Sequence, residues 1–163
     1  MKAKQSITRK LRVPASLAWE AVSAIGRLEV WFPIIESCTV EGSGPGAVRR
    51  MTLIDGGGQI HDTIESIDAV TRRLVYRRPV SPFPVTSYRG TVEVFESFDG
   101  LAVVVWTIDF EAVPESVKAV ADLVKGAIGD GLEGMDEDLL ADAPRQYRTG
   151  AAPDTGLEPG FRS

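Results

Sequence analysis

The sequence predicts an α+β fold: seven short antiparallel strands followed by one long C-terminal helix. Three observations carry this. Between residues 36 and 111, turn-forming Gly, Pro and Asp clusters recur and separate runs of strand length, the pattern of an antiparallel meander. A further weakly alternating run precedes them at 5–13. After Pro114, apolar residues fall near one helical stripe instead of alternating.

The elements follow in order. Residues 5–13 place Ile7, Leu11 and Val13 among polar neighbours, as in an edge-type strand. Pro14 suits the first position of a helix, where its missing N–H is not needed. Leu17, Ala21 and Ile25 recur at four-residue spacing, and Gly26 is placed to cap the helix C-terminus. A second helical turn is expected within 27–35, carrying Trp31, Phe32 and Pro33. Strands are expected at 36–41, 47–54, 59–67, 73–78, 86–97 and 101–111. The final helix opens at Pro114 with Glu115 in its first turn, where the helix dipole favours an acid. Its stripe of Val117, Val120, Val124, Ile128, Met135 and Leu139 extends it to about Leu140. Residues 1–141 form the expected domain. Residues 142–163 are polar and broken by Pro and Gly, and read as a disordered tail.

Composition narrows the function. The 163 residues carry 18 Lys+Arg and 23 Asp+Glu, a net charge of −5, which argues against a general nucleic-acid binder. One cysteine, Cys38, excludes an internal disulfide framework, and one histidine, His61, disfavours a histidine-rich metal centre. No metal or cofactor is expected. No apolar run approaches the roughly 20 residues that span a bilayer, and the basic start lacks a signal-peptide core. A cytoplasmic protein without membrane insertion is expected.

Specific text goes further. The segments WFPIIESCTVEGSGPGAVRRMTL, DTIESIDAVTRRLVYR, FPVTSYRGTVEVF and VVVWTIDFE resemble the START-like superfamily. Within it they are similar to the SRPBCC polyketide cyclase/dehydrase and lipid-transport group. The resemblance spans about residues 3–140 and rests on Trp31 with Pro33, the Gly44–Arg49 turn and strand, Tyr76, the Pro84 to Tyr88 approach, and Trp106. It implies a helix-grip fold, in which a curved sheet wraps the long helix around a cavity. Asp62 stands where related sequences often carry Glu.

Strand parity selects the inward side chains. Trp106 shares a face with Ile108 and Phe110, Asp62 with Ile60 and Ile64, and Arg49 with Met51 and Leu53. Tyr76 pairs with Leu74, and Tyr88 shares a face with Val92 and Val94. Arg49 and Asp62 are expected to neutralise each other, because an unpaired buried charge is costly. His61 points outward, and Cys38 reads as a small buried hydrophobe. Arg72, Arg73, Arg77 and Arg78 read as a solvated basic edge. In the final helix, Ala127, Gly131 and Gly134 make a small-residue stripe that leaves either a void or room for close packing.

The resulting expectation is a pocket for a small hydrophobic or polyketide-like molecule. Asp62, Arg49 and Tyr88 are the candidate catalytic residues: Asp62 moves a proton, and Arg49 with a tyrosine stabilises an enolate or alkoxide during aldol-type ring closure and loss of water. Trp31, Phe32, Met51, Tyr76 and Trp106 are candidate ligand contacts, with Ile128, Gly131 and Met135 from the helix. Phe83 joins them from the Pro79–Pro84 loop, which the resemblance implies flanks the pocket mouth together with the Asp55–Gly58 loop. A non-catalytic carrier or sensor of a lipid or aromatic metabolite is the alternative, and an accessory protein acting through its surface is a third. A carrier protein and a second copy of the chain remain open as macromolecular partners.

Overall fold

A computed structural model describes residues 1–150, and the side chains of residues 1–141. Strand β1 (Lys2–Pro14) leads into helices α1 (Ala15–Ser23) and α2 (Leu28–Trp31). Six strands follow: β2 (Ile35–Glu41), β3 (Val48–Leu53), β4 (Gln59–Asp68), β5 (Arg73–Val80), β6 (Ser87–Glu96) and β7 (Leu101–Glu111). Helix α3 (Pro114–Gly150) closes the described chain. One antiparallel sheet has the order β1-β7-β6-β5-β4-β3-β2. This is a helix-grip α+β fold: the sheet's inner face and α3 enclose the core.

Burial follows parity. Along β7, Ala102, Val104, Trp106, Ile108 and Phe110 are buried and their neighbours half-buried. In β4 the ladder slips between Ile64 and Ser66, so the inward series Ile60, Asp62, Ile64 continues one position late at Ile67. Such a slip shifts which residues face the core without ending the strand.

Several boundaries differ from expectation. Strand β1 begins at Lys2, and β5 continues to Val80. Pro14 is the last strand residue, not the first helical one: its ψ of 152° is extended, and α1 starts at Ala15. The left-handed turn after α1 falls on Ile25 (φ 75°) rather than Gly26. The Ile25 side chain is buried in the core, and its carbonyl is held by a buried arginine described below. A β-branched residue pays roughly 1–3 kcal/mol for that conformation, so tertiary contacts set this turn, overriding local preference. Finally, α3 continues past Leu140 to Gly150. The remainder of the expected tail, 151–163, lies outside the described residues.

Helix α2 explains the glycines of α3. A Cβ on Gly134 would stand 2.1 Å from the Trp31 carbonyl oxygen, and one on Gly131 would stand 2.3 Å from the Phe32 ring. The small-residue stripe therefore serves close approach, and of the two alternatives left open by the sequence it is close packing, not a void, that holds at Gly131 and Gly134. Asp138 fixes the contact: it accepts from Trp31 Nε1 at 2.9 Å and from the Arg27 guanidinium. On the other flank, buried Asp136 accepts the Arg12 backbone N–H at 2.9 Å and Arg12 Nε at 3.0 Å, tying α3 to β1. No described helix is long and apolar enough to cross a membrane.

Candidate functional site

Arg49 on β3 and Asp62 on β4 stand directly opposite each other in the ladder. Both point inward, and both are buried. Arg49 Nε and Nη2 donate to Asp62 Oδ2 at 3.1 and 2.9 Å, which is the compensation expected from sequence. Arg49 Nη1 donates to the Ile25 carbonyl at 2.9 Å, joining the ion pair to the left-handed turn after α1.

A second arginine completes the cluster. Arg78 Nε donates to Asp62 Oδ1 at 2.7 Å, and Arg78 Nη2 reaches Oδ2 at 3.3 Å. The Arg78 side chain is only 9% exposed. The solvated basic edge expected for Arg72 to Arg78 is thus corrected at its last member. Arg72, Arg73 and Arg77 instead pair with Glu96, Glu93 and Glu65. The signal was present in the sequence, because Arg78 follows Leu74 and Tyr76 at two-residue spacing on the same face. Pro79, beside the irregularity in the β4–β5 ladder between His61 and Thr63, follows directly.

Aromatic rings cover the arginines. Tyr76 lies under Arg49 at 4.8 Å, and Tyr88 under Arg78 at 4.4 Å. Trp106 Nε1 donates to the Tyr76 hydroxyl at 3.1 Å. Gly90, opposite Tyr76, makes room for that ring: a Cβ there would meet it at 2.1 Å.

These contacts set the charges. Burial pushes the Asp62 carboxyl upward, but Arg78 and Arg49 together outweigh it and hold the pKa below the ordinary aspartate value. Burial also dominates at Tyr88 and Tyr76 and raises both phenols, so both stay neutral donors at neutral pH. Arg78 resists the opposite push of burial because Asp62 and the two tyrosines favour its charge.

The cavity beside this cluster has a volume of about 40 Å³. That is room for a water molecule or two, against the roughly 300 Å³ or more of ordinary small-molecule sites. Of the residues expected to contact a ligand, Phe32, Tyr76, Phe83, Trp106 and Ile128 line it, together with the catalytic candidate Tyr88. Arg78 lines it too, and Val120, Val124 and Ala127 close it from α3.

The other candidates sit elsewhere. Trp31, Met51 and Met135 are buried in packing and do not line the cavity, and Gly131 is covered by the Phe32 ring. Arg49 and Asp62 lie behind the wall, each turned toward its ion partners. The Asp62 carboxylate is ionised with both oxygens engaged, so the geometry makes it a counter-ion and withdraws support from its role as a proton carrier. The loops expected at the mouth meet: a Cβ on Gly58 would stand 3.2 Å from Pro82, and Phe83 is half-buried against the core. His61 turns away toward Gln59, and Cys38 is half-buried, its thiol pKa raised chiefly by burial. Among the described residues, no three His, Cys, Asp or Glu side chains gather as metal ligands would.

Solved structures share this architecture. An uncharacterised protein from Bacillus thuringiensis is 27% identical with a TM-score of 0.75, covering 85% of this chain and 99% of its own. The protein XoxI from Bacillus cereus is 26% identical with a TM-score of 0.75, covering 85% and 96%. At 18% identity, norcoclaurine synthase from Thalictrum flavum shares the fold with a TM-score of 0.74, covering 88% and 97%. Comparison with curated proteins gives no match. A model of the family described as polyketide cyclase / dehydrase and lipid transport matches residues 2–139, and the chain belongs to that family.

Proposed function

We propose that the protein holds a small, mainly apolar molecule in this cavity, as a carrier or sensor, with an oxygen of that molecule accepting hydrogen bonds from Arg78 and Tyr88. One observation supports this above the others. The polar groups that line the cavity are donors: a guanidinium and neutral phenols set among aliphatic and aromatic walls. Such a site orients a carbonyl or carboxylate and supplies no base. The ligand takes its volume by displacing side chains; of the lining, Leu123 on α3 is exposed and Phe83, in the β5–β6 connection, is half-buried.

The second reading is the cyclase/dehydratase, an aldol-type ring closure with loss of water. The convergence of Arg78 and Tyr88 favours it, because two fixed donors beside an apolar chamber stabilise a developing enolate. In this reading the chamber folds the substrate toward ring closure. Asp62 keeps Arg78 charged and placed, and the proton leaves to water instead of to Asp62.

Native mass spectrometry with a host metabolite extract separates the two. A compound bound unchanged supports the carrier or sensor. A bound compound lighter than a free one by the mass of water supports the cyclase. A protein that binds nothing refutes the shared ligand site and favours an accessory role through the surface.

A further inference from the structure

The sheet is split near the candidate site. The β5–β6 ladder ends at Arg77 opposite Arg89. Beyond it, β5 stays with β4, where Val80 stands opposite His61, while Ser87 and Tyr88 pair with Glu111 and Phe110 on β7. At this split lies a groove of about 690 Å³. Lys2, Arg77, Ser87 and Arg89 line it, and so do Arg78 and Tyr88, which also line the apolar cavity. The Arg78–Tyr88 stack therefore stands between the two spaces.

Negative charge is short here. Arg49 and Arg78 share one carboxylate, Asp62, and Arg77 and Arg89 share another, Glu65. Asp109, the acid that lines the groove, already pairs with Lys4 at 3.7 Å. Arg78 commits Nε and Nη2 to Asp62, and among the described residues its Nη1 donates to no acceptor. A guanidinium held nine-tenths buried with a free donor edge is a ready partner for an oxyanion. The buried trio of Arg49, Asp62 and Arg78 carries one net positive charge, which a single carboxylate balances and a phosphate monoester exceeds.

We infer that the split is a second, polar subsite that takes the carboxylate of an amphipathic ligand, with the ligand's apolar part in the cavity. Arg78 meets the carboxylate at the crossing, and Arg89, Arg77 and Lys2 attract it from the groove. This inference rests on the cavity being a ligand site and adds the charge and direction of the ligand.

The test is calorimetric titration of the full chain with dodecanoate, methyl dodecanoate and dodecanol, each below its micelle concentration. Dodecanoate is expected to bind at least tenfold more tightly than the two neutral probes, with an affinity that falls as salt rises. Arg78→Met is expected to erase that preference, bringing dodecanoate down to the affinity of the neutral probes. The exposed double variant Lys2→Gln/Arg89→Gln keeps the buried cluster intact and is expected to cut dodecanoate affinity several-fold if Arg78→Met fails to fold. Equal binding of all three probes overturns the polar subsite and leaves the apolar cavity standing. A dodecanoate preference unmoved by either variant also overturns it. Absence of binding by every probe overturns the subsite and the cavity reading together.

Discussion

Three glycines in α3 provide one experiment with opposite outcomes. Gly126 and Gly129 have nothing within 4 Å of an added Cβ. Alanine there restores helix propensity and should stabilise by about 0.8–1.0 kcal/mol each. Gly134 receives the same propensity gain, but its Cβ falls 2.1 Å from the Trp31 carbonyl oxygen, where ordinary contact begins at 3.4 Å. The obstacle is backbone, and α2 is pinned by the bonds from Trp31 and Arg27 to Asp138. Overpacking of this kind costs up to about 3 kcal/mol. The net loss for Gly134→Ala is then about 2 kcal/mol. At roughly 2–4 °C per kcal/mol for a chain of this size, Gly126→Ala should melt about 2–4 °C higher and Gly134→Ala about 4–8 °C lower. Thermal unfolding by circular dichroism reads both. Equal stabilisation by the two variants would refute the close seating of α2 on α3.

Other predictions follow from the ion cluster and its surroundings. Asp62→Asn strands two buried arginines and should cost about 3–5 kcal/mol. Since the folded-state pKa of Asp62 is depressed, the carboxylate's contribution is whole above the unfolded value of about 3.9 and fades as pH falls through the lower folded value. The gap between wild type and Asp62→Asn in urea titrations should therefore narrow only in strong acid, and a gap already closed at pH 6 contradicts the assignment. Gly90→Ala drives a methyl into the Tyr76 ring and should destabilise by about 2–3 kcal/mol, with a changed Trp106 fluorescence signal. Unaltered emission and stability would show that the ring moves freely. Asp136→Ala should cost about 1–3 kcal/mol by leaving the Arg12 backbone N–H without its acceptor, yet leave probe affinity intact because Asp136 does not line the cavity. A selective loss of binding would contradict that separation.

The fold was legible because its signals are local and repeated. Parity in β7 and β4 placed Trp106 and Asp62 inward, and the opposed positions of Arg49 and Asp62 made their pairing a requirement of burial. Arg78 escaped the sequence reading because it stands among four arginines at a strand end, where charge suggests solvent. Only its phase with Leu74 and Tyr76 marks it out. The glycine stripe signalled small residues on the inner face of α3, but not whether a ligand or α2 fills the space. The turn at Ile25 was illegible for a different reason: glycine was available next door, and a distant arginine decided the outcome.

The strand order also fixes when the molecule can finish folding. Strand β1 is synthesised first, yet its partners are β7 and α3. Ser6 bonds Thr107 across 101 residues of chain, and Arg12 reaches Asp136 across 124. Closing a loop of that length costs about 4 kcal/mol in its length-dependent part, before either contact forms. The β2–β6 meander can zip hairpin by hairpin, whereas β1 waits unpaired until nearly the whole domain exists. Topologies dominated by such distant pairings fold slowly. A nascent chain thus carries an idle N-terminal strand with exposed apolar alternation, the kind of edge that recruits chaperones or mispairs with a neighbour.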